Sequence, residues 1–127
     1  MARRTDFRPT DKELAILRIL WDNGPSTVKE VNEAMSEYEK TGYTTTLKFM
    51  QIMTEKGLLH RDDSQFKHIY MPAVTEEKAQ KQLVGDLLEK AFSGSAEKLV
   101  MRALSAKKVS NKELARIKKM IKAIEEK

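Results

Sequence analysis

The sequence predicts a mainly α protein with a small antiparallel β-hairpin wing: a winged helix-turn-helix followed by a C-terminal helical dimerisation segment. Three observations predict it. Apolar residues recur at helical spacing in three successive segments before Gly57. The period shortens to two between Leu58 and Met71, as in a hairpin, and three more helical stripes follow Pro72. The chain has 127 residues, of which 40% are hydrophobic and 34% charged, a balance that favours a folded chain over a disordered one.

Helix starts are marked by three capping-box sequences, Thr10-x-x-Glu13, Thr27-x-x-Glu30 and Ser110-x-x-Glu113. In each, hydroxyl and carboxylate can satisfy amide donors that the first helical turn leaves open. The first helix is expected over 11–22, with Leu14, Leu17, Ile19, Leu20 and Trp21 inward, stopped by Asn23-Gly24-Pro25. The second is expected over 28–38, burying Val31, Ala34 and Met35. After a turn at Thr41-Gly42, the third is expected over 45–56, with Gly57 just beyond its end. Residues 58–61 form the first predicted strand, 62–65 the turn, and 66–71 the second, with Phe66, His68 and Tyr70 sharing one face. Domain boundaries follow: 1–73 as a winged-helix domain and 74–127 as a helical dimerisation domain.

Thr75 is the expected cap of a helix reaching about Phe92, striped by Ala79, Leu83, Leu87, Leu88 and Ala91. A shorter helix over 96–104 and a last one over 111–126 follow, the latter with Leu114, Ile117, Ile121 and Ile124 spaced as a packing seam. A segment this short cannot bury such stripes well by itself. It must fold back on the winged helix or pair with a second copy, and pairing through Leu83, Leu87, Leu114, Ile117, Ile121 and Ile124 is the expected solution.

The third helix carries the functional expectation. At 100° per residue, Thr46, Phe49, Met50 and Met53 fall in one arc, while Thr44, Lys48, Gln51 and Glu55 fall opposite, with Thr45 and Leu47 at the margins. An apolar back and a front of hydroxyls, a lysine and a glutamine suit the major groove. Lysine can donate to guanine O6 and N7, glutamine can pair with adenine, and threonine can meet a phosphate or a thymine methyl. Thr44, Thr45, Lys48 and Gln51 are therefore the candidate base and backbone contacts, with Arg61 and Lys67 beside the wing turn as candidate phosphate contacts. Arg3, Arg4 and Arg8 form a basic arm before the first helix. Asp62-Asp63 at the wing tip argue against deep insertion of the tip into a groove.

Net charge is +5, but it is unevenly placed: residues 1–73 are neutral and the surplus lies in 74–127. Bulk charge thus does not nominate the N-terminal half as the reader; local pattern does. The chain has no cysteine, which excludes disulfides, thiolate metal sites and cysteine nucleophiles. His60 and His68 lack an evident third ligand, so they are assigned to the wing surface and no metal or other cofactor is expected. Tyr43 and Trp21 are expected in the core. No phosphate-binding glycine loop, nucleophile elbow or HExxH motif occurs, and no enzymatic activity is expected. No apolar run approaches the ~20 residues of a membrane span. MARRTDFRP lacks the apolar stretch of a secretory signal, so a cytoplasmic location is expected.

Several segments together resemble the penicillinase-repressor (BlaI/MecI) family: 14–21 (LAILRILW), 24–31 (GPSTVKEV), 42–47 (GYTTTL), 55–59 (EKGLL), 68–73 (HIYMPA) and 87–95, across about residues 10–126. The resemblance implies a homodimeric winged-helix repressor on palindromic operator DNA, whose third helix, here 44–56, enters the major groove. It also implies a regulatory protease, because antibiotic-responsive members are inactivated by cleavage of an Asn-Phe bond. The matching position here is Arg102-Ala103, a departure from that pattern. Copper-responsive relatives sense metal through cysteines, which this chain lacks. A different class remains open at this point: a winged-helix protein-interaction module that never touches DNA.

Overall fold

The computed structural model describes residues 8–127; Arg3 and Arg4 of the basic arm lie outside them. The order of elements is α1 (Asp11–Asn23), α2 (Val28–Met35), α3 (Tyr43–Glu55), β1 (Leu59–Asp62), β2 (Ile69–Pro72), α4 (Glu76–Ala91), α5 (Ala96–Ala106) and α6 (Asn111–Glu125). Two compact units divide the chain, one running to Val84 and the other Gly85–Lys127.

In the first unit, α1 packs against α2, α3 and β2, and α3 against α2 and β1. Both N-terminal capping boxes form as read, at Thr10/Glu13 and Thr27/Glu30. The core joins Ile16, Leu17, Leu20, Val31, Met50, Met53, Leu58, Leu59 and Tyr70, all buried. Val74 and Leu83 pack against it, and Ala79 is buried within it, so the first turns of α4 belong to this unit. Trp21 is partly buried, and its indole Nε1 donates to Val74 O at 3.0 Å, fastening the chain as it leaves the hairpin.

Element ends differ from expectation for local reasons. α2 stops at Met35 instead of Tyr38, and Tyr38 stands exposed. α3 begins two residues early, with Gly42 as its N-cap. Its C-terminus closes in a Schellman turn: Leu58 N donates to Met53 O at 2.9 Å and Gly57 N to Thr54 O at 3.1 Å. Gly57 takes φ +85°, a left-handed conformation that costs a residue without Cβ little. Leu58, the next residue, is buried, and the turn therefore feeds α3 directly into β1.

The hairpin is shorter than the alternation suggests. Leu59 pairs with Pro72, His60 with Met71, Arg61 with Tyr70 and Asp62 with Ile69. Asp62 Oδ1 accepts from Ser64 N at 2.9 Å, turning the chain away from pairing and leaving Phe66 and His68 in the loop. Of the predicted face Phe66–His68–Tyr70, only Tyr70 is buried in the sheet; Phe66 is 99% exposed. A further isolated bridge joins Ser26 to Tyr70, with Ser26 N to Tyr70 O at 3.0 Å and Tyr70 N to Ser26 O at 2.8 Å. A one-residue bridge has no period to betray it in sequence.

The second unit holds the end of α4 with α5 and α6. Ser95 and Ser110 cap the last two helices, accepting from Lys98 N and Glu113 N at 3.1 Å each. Neither α5 nor α6 contains a buried residue, although both are amphipathic. Leu87, Val100, Met101, Met120, Ile121 and Ile124 are exposed, and Leu114 and Ile117 are half-buried.

Among the described residues, Glu13 is the one buried carboxylate of the first unit's core. Its Oε1 accepts from Thr10 N at 3.0 Å, and Lys56 Nζ donates to Oε2 at 2.9 Å and Oε1 at 3.2 Å. Replacing Lys56 with methionine should leave that carboxylate short of a donor and lower unfolding free energy by about 1–3 kcal/mol. Urea denaturation checks this; an unchanged midpoint would mean that the pair contributes nothing.

Candidate nucleic-acid interface

The candidate surface is built on α3. Its back is fixed by burial: Thr46, Met50 and Met53 are buried, and Leu47 and Phe49 pack partly against the core. The period of the helix then forces the opposite arc outward, and Thr44, Thr45, Lys48, Gln51 and Glu55 are all exposed. Lys56 is engaged with Glu13, which leaves Lys48 as the cation of this face.

The turn before α3 is set by a side chain not singled out in the sequence, Asn32 on α2. With its amide oriented to satisfy its surroundings, Nδ2 donates to Thr41 O at 2.8 Å, Gly42 O at 3.3 Å and Thr46 Oγ1 at 2.7 Å. One amide thus fastens α2 to both the turn and the first turn of α3. The available signal was a single amide next to the buried Val31 on α2.

The wing cations behave differently from each other. Arg61 is held by Asp63, Nε to Oδ1 at 2.7 Å and Nη2 to Oδ2 at 3.2 Å. Its guanidinium is held above its ordinary pKa, first by the hydrogen bond to Asp63 and then by Tyr70. Asp62 is held below the usual carboxylate range by its hydrogen bonds from Ser64. Lys67 is exposed in the loop between the strands, without an ion pair among the described residues. Tyr43, expected in the core, instead stands 51% exposed at the first position of α3, because it precedes the buried arc that begins at Thr46. Beside α3, Gln51, Glu55, His60 and Arg61 line a groove against β1. No group of three or more His, Cys, Asp or Glu side chains suited to a metal occurs among the described residues.

The model of the penicillinase repressor family matches residues 9–123. The chain belongs to that family. It is 32% identical over 99 residues to the transcriptional regulator BlaI of Mycobacterium tuberculosis, in each of two strains, an alignment covering 76% of this chain and 70% of the relative. Among solved structures, a MarR family protein from Bacillus stearothermophilus is similar at a TM-score of 0.52 and 18% identity, over 96% of this chain and 76% of that one. That likeness concerns the fold. The monomeric form of Bacillus licheniformis BlaI, solved in complex with the blaP half-operator, is similar over 55% of this chain and 85% of its own at 20% identity and a TM-score of 0.49. In this member of the family, one of the segments that carry the resemblance, 42–47, lies at the start of α3. No helix among the described residues is long and apolar enough to cross a membrane.

Proposed function

We propose that this penicillinase-repressor family member is a DNA-binding transcriptional repressor that reads palindromic operators as a homodimer, with α3 in the major groove. The observation that carries the reading is the division of α3: a buried back of Thr46, Met50 and Met53, and an exposed front of Thr44, Thr45, Lys48 and Gln51. A rigidly backed helix with donors and acceptors on its free face meets what base-edge recognition requires. Lys48 and Gln51 are the proposed base readers; Thr44 and Thr45 the proposed backbone and methyl contacts. Lys67 is a proposed phosphate contact. Such a repressor works in the compartment that holds its DNA.

The dimer is proposed through the second unit. Its last two helices present apolar stripes of which no residue is fully buried, and a twofold pairing of identical stripes removes them from water. Two half-site contacts then act together on one operator. Of the residues expected at this contact, Leu87, Leu114, Ile117, Ile121 and Ile124 lie in the second unit, whereas Leu83 packs against the core of the first.

A protease partner is proposed with one restriction. Arg102 and Ala103 lie inside α5, so a protease needs that helix locally open, and the pair offers neither side chain of an Asn-Phe site. Release from DNA is therefore proposed to proceed without cleavage of this bond.

An electrophoretic shift with DNA from upstream of the chain's own operon tests the main reading, and no shift would overturn it. Replacing Lys48 or Gln51 by alanine should weaken specific binding by about 1–3 kcal/mol for each bidentate base contact, with the melting temperature unchanged. Two variants that bind like the parent would move base reading to another surface. In sedimentation, the full chain should be a dimer at micromolar concentration, and Ile121→Glu with Ile124→Glu should yield monomers; a monomeric parent would remove the dimer. Mass spectrometry of the protein from derepressed cells should find no fragment ending at Arg102, and such a fragment would reverse the proposal about cleavage.

A further inference from the structure

The wing turn carries two carboxylates where a hairpin that grips phosphates needs cations. Asp63 holds one guanidinium edge of Arg61 with both its oxygens, through Nε and Nη2, and its Oδ1 also stands 3.7 Å from His68 Nε2. Asp62 is occupied in turning the chain at Ser64. The first wing cation is thereby neutralised within the wing.

What the wing offers outward instead is Phe66. It is 99% exposed, makes no contribution to the core, and sits between Gln65 and Lys67. Across from it stands Tyr43, half-exposed at the start of α3. The two aromatics line one cleft of about 330 Å³ together with Thr27, Lys29, Lys67 and His68, drawn from the start of α2 and the wing. Neither Lys29 nor Lys67 is in an ion pair among the described residues. The cleft adjoins Thr44 and Thr45 through Tyr43, so it continues the exposed face of α3 at its N-terminal end. A helix lying in a major groove has a sugar–phosphate strand beside that end. Deoxyribose is apolar enough to pack on an aromatic ring, and its phosphates complement two lysines.

We infer that this cleft seats one sugar–phosphate strand of the operator, with Phe66 and Tyr43 packing on the sugars, Lys29 and Lys67 meeting phosphates, and Asp63 keeping Arg61 out of the contact. The inference rests on the DNA-binding reading above. It assigns to the wing a contact that is partly apolar, which changes how affinity responds to salt. Phosphate contacts release counterions and steepen the salt dependence; aromatic packing adds affinity without steepening it.

The test is operator binding by the full-length chain, followed by fluorescence anisotropy across a range of salt concentrations. Phe66→Ser should weaken binding roughly threefold to tenfold at every salt concentration and leave the slope of log K against log salt unchanged. Phe66→Leu should recover much of that loss. Joint replacement of Lys29 and Lys67 by alanine should make the slope shallower by about 1.8, at ~0.9 for each phosphate contact. Arg61→Ala should leave the slope as it is. All four positions are exposed, and thermal melting verifies that the fold is kept. If Phe66→Ser binds like the parent, or the double lysine variant keeps the parental slope, the cleft does not seat the strand. A shallower slope for Arg61→Ala would overturn the role given to Asp63. A parent chain that shifts no DNA defeats the underlying reading, whereas a parent that binds and loses affinity on Lys48→Ala, with the cleft variants silent, defeats this inference alone.

Discussion

A buried carboxylate joins the beginning of α1 to the end of α3. Glu13 accepts from the backbone of Thr10, completing the cap of its own helix, and receives the ammonium of Lys56 forty-three residues away. Its side chain is only 3% exposed, so water cannot stand in for either partner. The last turn of α3 therefore has few positions available to it. The Schellman turn at Gly57 passes that constraint on to β1, and the bridge between Ser26 and Tyr70 returns it to the segment between α1 and α2.

The other end of α3 is held by Asn32. Carbonyls in a turn are costly to leave unpaired when partly buried, and this amide takes two of them together with the hydroxyl of Thr46. Between these anchors, Met50 and Met53 lock the back of the helix into the core. A helix held at both ends and along one side presents its remaining face with little freedom. That preorganisation is what reading base edges demands, since side chains misplaced by an ångström lose the bidentate geometry on which discrimination rests.

The two units solve burial in different ways. The winged helix closes its own core within about eighty residues, drawing the first turns of α4 into it through Ala79 and Leu83. The helices beyond Gly85 have the pattern of a packing seam, yet none of their residues in α5 or α6 is fully buried and Ile121 and Ile124 stand exposed. Amphipathic helices with nothing buried gain little from tertiary packing in the monomer, which is the physical basis for proposing a second copy.

The sequence by itself determined the presence of the helices, the caps at Thr10, Thr27 and Ser110 and the outward face of α3, because these depend on period and on neighbours three or four residues apart. Thr44, Thr45, Lys48 and Gln51 had to stand opposite Thr46, Met50 and Met53 once a helix formed there. Only the tertiary structure decided which polar groups were consumed internally. Lys56 could have been another cation beside the exposed arc of α3, but Glu13 takes it; Arg61 was a candidate for phosphate, but Asp63 holds it at the wing. Phe66 had the alternation of a strand residue, yet the Asp62–Ser64 turn ends the ladder before it and leaves the ring in solvent. Each of these outcomes is a competition among partners brought together by folding, and periodicity carries no record of which partner wins.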